Sequence, residues 1–252
     1  MKEKSMPLLC IDIGNTSVTY GVYSENRLHP VHQVSTVNIP ELGHKLAKIV
    51  NMNPSIYTII SSVVPKITHI LAKSIKKNLF IIGKNLEVPL KHKYSSLNKL
   101  GSDRRVNAFG GIRLYGSPLL ILDFGTALTC DYVSKKGVFE GGLIIPGPEI
   151  AWQALTAKAA LLPKFVFPKA RPHLPLVGRN TKIGMQAGIL QGYAALADGL
   201  IEKFQAQSKA EPKVIATGGL AKSISPYCSR IDIVDPLLTL KSLVKIFHTQ
   251  HP

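Results

Sequence analysis

Residues 7–23 read PLLCIDIGNTSVTYGVY: an apolar run ends in an aspartate, a polar Gly-Asn-Thr turn follows, and β-branched and aromatic residues come next. This order predicts a buried strand, a tight turn and a second strand. Residues 118–133, PLLILDFGTALTCDYV, repeat the same order in the second half of the chain. We therefore expect two similar sheets that face each other, with both aspartate-bearing turns lining one cleft.

The rest of the chain alternates between short apolar runs and stretches with helical spacing, which is typical of an α/β protein. The spacing predicts further strands at 57–64, 79–82, 137–145, 214–217 and 231–234, and helices at 41–51, 67–78, 103–115, 148–160, 182–206 and 236–248. Residues 163–181, rich in proline and basic residues, are expected to form an ordered loop. Since no Gly/Ser-rich linker separates the halves, we expect two closely packed domains, residues 1–116 and 117–252.

The composition is that of a globular chain of one or two domains. It has 252 residues, of which 45% are hydrophobic and 18% charged, and this excludes collagen, coiled coils and intrinsic disorder. The net charge is +16, from 31 Lys and Arg against 15 Asp and Glu. A basic surface attracts phosphorylated ligands, nucleic acid or anionic membrane, although a lysine-rich surface without such a partner explains the charge equally well. No run of five basic residues occurs, so a nucleic-acid-binding arm is not indicated.

Cysteine usage indicates a reducing compartment. The three cysteines, Cys10, Cys130 and Cys228, lie far apart and form no Cys-x-x-Cys pair, which argues against a disulfide framework and against a zinc site. Residues 1–7 lead into no long apolar stretch of the kind found in signal peptides, and no window of about 18 apolar residues predicts a membrane span. We therefore expect a cytoplasmic protein without membrane contact.

The two aspartate-bearing turns are candidate phosphate sites. Gly14 permits a tight turn whose backbone N–H groups point at one spot, and residues 15–17, Asn-Thr-Ser, add side-chain donors. Asp12, at the strand end, can hold Mg²⁺ through water. An ordinary hairpin turn is the alternative, because Asp, Gly and Asn are all turn formers. The recurrence of Asp and Thr at Asp123 and Thr126 favours phosphate binding over two independent hairpins.

The sequence Gly101-Ser-Asp-Arg supplies a third candidate aspartate, Asp103, at the start of a predicted helix. Its ordinary role there is that of a helix N-cap. Its chemical role would be that of a base accepting a hydroxyl proton, with Arg104 nearby to bind an anion. An ordinary Asp, with a pKa of about 4, suffices for this in a loose phosphoryl-transfer transition state, because the proton leaves late. The chain has no Walker A motif, so a P-loop is excluded. It has no Gly-x-Gly-x-x-Gly, so nothing supports a Rossmann dinucleotide site.

Taken together and in order, the motifs resemble those of the type III pantothenate kinase family over nearly the whole chain. The matching motifs are Asp12-x-Gly-Asn-Thr, Tyr94 seven residues before Gly101-Ser-Asp-Arg, Asp123-x-Gly-Thr-Ala, Gly141-Gly142-x-x-x-Pro146-Gly147, Asn180-Thr181 and Thr217-Gly-Gly. The resemblance implies an actin-like (ASKHA) fold of two ribonuclease-H-like domains, with mixed sheets flanked by helices, and a homodimer. It also implies ATP-dependent phosphorylation of pantothenate, the first step of coenzyme A biosynthesis, with Mg²⁺ and a monovalent cation, K⁺ or NH₄⁺.

The resemblance also implies a role for individual residues. Those expected to bind ATP are Asp12, Gly14, Asn15, Thr16, Ser17, Thr19 and Thr126. Those expected to bind pantothenate are Tyr94, Gly101, Ser102, Asp103, Arg104 and Thr181. Asp103 would accept the hydroxyl proton, and Asp123 would hold the monovalent cation. Two departures from the family pattern are Ser102, where Ala is more usual, and Arg105, a second cation after Arg104.

Two other functions remain open at this point. The first is another kinase or phosphohydrolase of the same superfamily. The second is a non-catalytic, nucleotide-binding transcription accessory factor, for which the basic charge would offer nucleic-acid contact. The presence of Asp12, Asp103, Arg104 and Asp123 together argues against a non-catalytic protein. We therefore expect pantothenate and ATP as partners and no nucleic acid.

Overall fold

The computed structural model describes residues 6–159 and 161–250, which fall into two compact units. Unit 1 holds residues 6–90, 94–114 and 238–250, and unit 2 holds residues 91–93 and the described part of 115–237. Each unit contains one mixed sheet. The α/β class predicted from the sequence, with two mixed sheets flanked by helices, is thus confirmed.

The elements follow one another in the alternation that the sequence predicts. Up to residue 115 they are β1 (Leu8–Ile13), β2 (Ser17–Ser24), β3 (Arg27–Leu28), β4 (His32–Ser35), α1 (Ile39–Met52), β5 (Tyr57–Ser62), α2 (Pro65–Ile75), β6 (Leu79–Ile81) and α3 (Ser102–Tyr115). Beyond it they are β7 (Leu119–Phe124), β8 (Ala127–Val133), β9 (Phe139–Pro146), α4 (Pro148–Lys158), α5 (Thr181–Ser208), β10 (Lys213–Thr217), α6 (Ala221–Ile224), β11 (Ile233–Val234) and α7 (Leu238–Gln250). Short 3-10 turns cover Thr36–Asn38, Leu97–Lys99 and Ser225–Tyr227.

The sheet of unit 1 has the strand order β3-β2-β1-β5-β6, and β4 also pairs with β2. β1 runs antiparallel to β2 and parallel to β5. Because alternate residues of a strand point to opposite faces, Ile11 and Ile13 enter the apolar core that α1 and α2 complete. Asp12 points to the other face of the sheet. There α7 packs on β5, with the rings of Phe247 and Tyr57 5.2 Å apart.

The sheet of unit 2 has the order β11-β10-β7-β8-β9, with β7 antiparallel to β8 and parallel to β10. Each unit therefore joins an antiparallel pair to further parallel strands, and this confirms the repeat predicted from the sequence. The register places a hydroxyl residue on both sides of each aspartate: Asp12 lies between Thr19 and Ser61, and Asp123 lies between Thr129 and Thr217.

The structure differs from the sequence prediction in a few elements. The short strands β3 and β4 were not predicted, because two to four residues are too few to show an alternating pattern. The helix predicted at 148–160 ends at Lys158, and residue 160 lies outside the described residues. The last helix, α7, packs in unit 1 rather than with the elements before it. The predicted domain bounds, 1–116 and 117–252, remain a prediction.

Within residues 6–159 and 161–250, no helix combines the length and the apolar character that crossing a membrane requires. All three cysteines are free thiols, and Cys10 and Cys130 are fully buried in the two sheets.

α3 and α7 approach each other closely in unit 1. Gly110 of α3 faces Ser242 of α7, which is fully buried. A Cβ at residue 110 would lie only 2.6 Å from the Cα of Ser242. Position 110 therefore requires glycine, and this glycine sets the distance between the two helices.

We expect Gly110→Ala to lower the free energy of unfolding by about 1–3 kcal/mol, because the added methyl group must push α3 and α7 apart. Urea unfolding followed by circular dichroism measures this. The control is Gly199→Ala in α5, where a Cβ meets no atom within 4 Å and alanine is the better helix former. Equal effects of the two substitutions would contradict the close helix contact.

Candidate active site

Two partly buried carboxylates form the centre of the candidate site in unit 1. Asp12 lies near the end of β1, and Asp103 is the second residue of α3. Burial and the nearby Asp103 carboxylate raise the pKa of Asp12 to about 7, against the lowering effect of a hydrogen bond with the Ser61 hydroxyl. Burial also raises the pKa of Asp103, although the N–H and charge of Arg104 and the charge of Arg105 lower it. Two such carboxylates in one electrostatic environment favour a bound cation.

Two serine hydroxyls link the strand that precedes α2 to the first turn of α3. Ser102 Oγ donates to the Ser62 carbonyl oxygen at 2.8 Å and accepts from the Ser62 N–H at 3.1 Å. It also lies 3.3 Å from the Ser61 hydroxyl, the group that interacts with Asp12. The side chain of Ser102 is buried and bonded to β5. Its predicted role in binding pantothenate stays a prediction.

The orientation of the Asp103 carboxylate depends on its neighbours in the chain. Its Oδ1 accepts a hydrogen bond from the Arg104 N–H at 2.8 Å. A Cβ at residue 101 would overlap the same oxygen, so glycine is required at Gly101 for the carboxylate to fold back over the helix start. α3 begins at Ser102, so Asp103 lies inside the first turn and is not its N-cap. The local fold thus explains the Gly-x-Asp spacing.

Arg104 and Tyr94 lie together beside this carboxylate. The guanidinium carbon of Arg104 is 6.0 Å from the centre of the Tyr94 ring, a cation–π distance. Arg104 is 94% buried, since 6% of its surface is exposed. A cation in the first turn of a helix is opposed by the helix dipole. Its position there is therefore better explained by an anionic ligand than by helix stability.

The two predicted phosphate turns have similar backbone closures. Gly14 N–H donates to the Ser17 carbonyl oxygen at 3.0 Å, and Gly125 N–H donates to the Ala127 carbonyl oxygen at 3.1 Å. Thr36 holds the first turn from the side, since its hydroxyl donates to the backbone oxygens of residues 15 and 16. Asn15 and Thr16 are exposed, and Thr19 lies opposite Asp12 on β2. The fold thus brings most of the residues predicted to bind ATP to one end of the first sheet.

Close backbone approaches surround Asp123 in unit 2. A Cβ at residue 147 would overlap the carbonyl oxygens of Gly125 and Thr126, and one at residue 218 would overlap the Asp123 carboxylate. Gly218 also has φ +91°, which favours glycine. Both glycines belong to the motifs quoted in the sequence analysis, and these close approaches give a physical reason for glycine at each position.

Asp123 lies at the end of β7, next to backbone groups of Phe124 and Gly218. In the described part of the chain, no group of three or more His, Cys, Asp or Glu side chains is placed to hold a metal ion. Asp123 is a single carboxylate beside backbone oxygens, among them that of Phe124 next to Gly218.

Thr181, the remaining predicted pantothenate ligand, is exposed at the first position of α5. Asn180 caps this helix, since its Oδ1 accepts from the Ile183 N–H at 2.9 Å. A cavity of about 600 Å³ lies beside it, lined in part by Arg179 and Val177.

Sequence reasoning missed Ser61 and Ser62. Both end an otherwise apolar strand, and Ser61 is fully buried next to Asp12. Two adjacent hydroxyl residues at the end of a buried strand are the signal that could have found them, because buried hydroxyls are normally hydrogen-bonded.

The fold resembles those of several solved structures. A Campylobacter jejuni protein assigned to the Baf family of transcriptional activators matches with a TM-score of 0.59 at 17% identity, over 96% of this chain and 98% of that one. MreB5 of Spiroplasma citri, bound to ADP, matches with a TM-score of 0.51 at 11% identity, over 98% and 97%. Likenesses at these identities concern the fold alone. The predicted actin-like fold is confirmed.

Sequence relatives are more specific. The type III pantothenate kinase of Geobacter sp. (strain M21) is 40% identical over 97% of this chain and 99% of its own length. That of Citrifermentans bemidjiense is 40% identical over 95% of this chain and 98% of its own length. The family model for type III pantothenate kinase matches residues 8–203. The chain therefore belongs to the type III pantothenate kinase family and is an enzyme of the kinase class.

Proposed function

We propose that the protein transfers the γ-phosphoryl group of MgATP to the primary hydroxyl of pantothenate, the first step of coenzyme A biosynthesis, in the cytoplasm. The observation that carries this proposal is the partly buried Asp103, which shares its environment with Asp12 and adjoins the buried Arg104. This arrangement offers a base, a cation site and an anion site within one unit of a chain from this family.

In the proposed reaction the pantothenate hydroxyl oxygen bonds to the γ-phosphorus, and the bond from that phosphorus to the β–γ bridging oxygen breaks to release ADP. Asp103 receives the hydroxyl proton late, after the loose transition state has formed. Its raised pKa makes it a better proton acceptor than an ordinary aspartate. Most of the rate gain then comes from positioning and charge neutralisation.

Pantothenate is an anion, and Arg104 is the cation placed to receive its carboxylate. Tyr94 supports that guanidinium from one side. Gly101 and Ser102 complete the proposed acceptor site beside Asp103, and Thr181 is a proposed further contact. For ATP we propose the turn from Asp12 to Ser17, with Thr19, and the Thr126 turn of unit 2. Asp12 holds Mg²⁺ through water.

The monovalent cation, K⁺ or NH₄⁺, is proposed at Asp123. When bound, such an ion would supply a positive charge that offsets the charge of phosphate oxygens. Asp123 contributes the carboxylate. Glycine at residue 218 leaves space beside that carboxylate, which a side chain at this position would fill.

The transcription-factor alternative is not favoured. The structural neighbour with that description is 17% identical to this chain, too distant to carry a function. Relatives at 40% identity are named as kinases. The described residues that match the family motifs include the predicted base and both other aspartates. We therefore propose no nucleic-acid partner.

A homodimer is the proposed assembly, and exposed apolar side chains of unit 2 support it. β9 is the last strand of its sheet and exposes Leu143 (41%) and Ile144 (65%). The following helix, α4, exposes Ile150 (43%) and Leu155 (44%). An exposed apolar edge strand is prone to pair with another chain. We propose that a second copy of this chain covers the apolar side chains of β9 and α4.

Asp103→Asn tests the proposed base. We expect it to lower kcat by about 10²–10⁴-fold, because asparagine cannot accept the proton. ATP affinity should stay near that of the wild type, and the melting temperature should not fall, because the raised pKa of Asp103 means that its charged form opposes folding. Coupled ADP release with pantothenate measures turnover, and Glu41→Gln, an exposed carboxamide replacement in α1, is the control. ADP release that is equal with and without pantothenate in the wild type would overturn the kinase proposal.

Asp12→Asn tests the raised pKa. Folded Asp12 titrates near pH 7, against an ordinary value of 3.8. Between these values the folded protein holds a proton that the unfolded chain has lost, so this carboxyl makes the protein less stable as pH rises. We expect Asp12→Asn to melt higher than the wild type at pH 8 without Mg²⁺, with a difference that shrinks as pH falls below 7. A melting temperature of Asp12→Asn below that of the wild type at pH 8 would contradict the raised pKa. The same variant should also lose turnover.

Ile144→Lys tests the dimer. A charge in the middle of the apolar surface should convert the protein to a monomer in sedimentation velocity experiments, since desolvating a lysine ammonium is unfavourable. The control is Val37→Lys, at a residue of unit 1 that is 83% exposed. A wild-type monomer, or an Ile144→Lys protein that remains dimeric, would contradict the proposed interface.

A further inference from the structure

Arg105 has no part in the proposed chemistry, although it is a deeply buried cation of unit 1, with 7% of its surface exposed. Its Nε has no hydrogen-bond partner among the described residues. Its ion pair with Glu87 is loose, with 3.7 Å between Nη1 and Oε2, and the Glu87 side chain is 67% exposed. Burial of a guanidinium with so little compensation is unfavourable. Stability alone therefore does not account for the position of Arg105.

The guanidinium of Arg105 lies against the loop that follows β6. A Cβ at residue 83 would lie 2.9 Å from its Nη2, and Gly83 has φ +78°. The loop is tied to its own strand as well: the Gly83 N–H donates to the Leu86 carbonyl oxygen at 2.9 Å, and Asn85 Nδ2 donates to the Leu79 carbonyl oxygen at 2.9 Å. Arg105 thus joins the first turns of α3 to a well-ordered loop.

The same stretch of chain meets α3 again at Tyr94, seven residues after Glu87. There the contact is with Arg104, whose guanidinium carbon is 6.0 Å from the centre of the ring. Two consecutive arginines of one helix turn therefore contact the two ends of residues 83–94. Asp103 immediately precedes both arginines.

The helix dipole gives a reason to regard both contacts as functional. Cations in the first turn of a helix are unfavourable, because the N-terminal end of the helix already carries positive partial charge. α3 nevertheless has Arg104 and Arg105 there, and both are buried. Arg104 has a proposed anionic ligand to compensate it. Among the described residues, the acidic groups that act on Arg105 are Glu87, in a loose ion pair, and Asp103.

We propose that Arg105 is a positioning residue for the phosphoryl acceptor: it fastens residues 83–87 to the first turn of α3 and so holds Tyr94 and Asp103 in a fixed relation. This inference rests on the proposed function. It predicts that loss of the fastening weakens the use of pantothenate and leaves ATP binding unchanged, because the loop and Tyr94 belong to the acceptor side of the proposed site.

Arg105→Met is the main variant, since methionine keeps much of the buried side-chain volume and removes the charged guanidinium group. We expect KM for pantothenate to rise about tenfold, with KM for ATP within about twofold of wild type, as expected when a positioning contact is lost. Arg105→Lys keeps the charge near Glu87 and should recover most of the loss. The matched control is Arg113→Met, an exposed arginine at the other end of α3.

Two loop variants test the same contact if Arg105→Met does not fold. Gly83→Ala places a Cβ against the guanidinium, and Glu87→Gln removes the ion pair from an exposed position. Each should raise KM for pantothenate selectively. Where Arg105→Met folds, adding Glu87→Gln to it should have no further effect. Additive effects would mean that the two residues act separately.

Hydrogen exchange separates this inference from the proposed function. The amides of Gly83, Lys84 and Asn85 are hydrogen-bonded in the loop, and we expect them to exchange about tenfold faster in Arg105→Met than in Arg113→Met. A wild type without pantothenate-dependent turnover would overturn the proposed function, and the exchange rates would still decide on the fastening. Unchanged exchange, or equal rises in both KM values, would overturn the positioning role.

Discussion

Removal of water from two neighbouring carboxylates is the constraint on which the site in unit 1 depends. Asp12 and Asp103 both have pKa values raised by burial. A desolvated carboxylate is unfavourable unless hydrogen bonds and cations compensate it. The strand β5, through Ser61, and the first turn of α3, through Arg104, supply that compensation. The residues packed around Asp12 and Asp103 thus keep both carboxylates partly buried while leaving them accessible to a ligand.

The hydroxyl of Ser102 connects this chemistry to the fold. It bonds to the backbone of Ser62 and lies beside Ser61, so it fixes the start of α3 against the end of β5. An alanine, the more usual residue in the family pattern, could not make these bonds. In this chain the distance between the proposed base and the sheet that carries Asp12 is therefore set partly by a side chain rather than by packing alone.

The sequence predicted what depends on strong local patterns. The apolar runs that end in Asp12 and Asp123 fixed both hairpins and their repeat, because strand burial and turn chemistry act over a few residues. It did not predict that α7 packs on the first sheet, since chain order alone does not determine which unit a terminal helix joins. Nor could it show the partner of a buried hydroxyl such as that of Ser61, which depends on the register between distant strands.

The site combines negative carboxylates with positive arginines, and the proposed reaction depends on both. Two carboxylates alone would repel ATP and pantothenate, which are both anions. Arg104 and Arg105 lie on the helix next to one of the carboxylates, and a cation held by the other would offset the rest. In a chain with 31 basic and only 15 acidic residues, the two carboxylates of this site provide the local negative charge that a cation needs. The proposed reaction needs both signs of charge: Arg104 to receive the anionic acceptor, and the carboxylates to hold the metal and receive the proton.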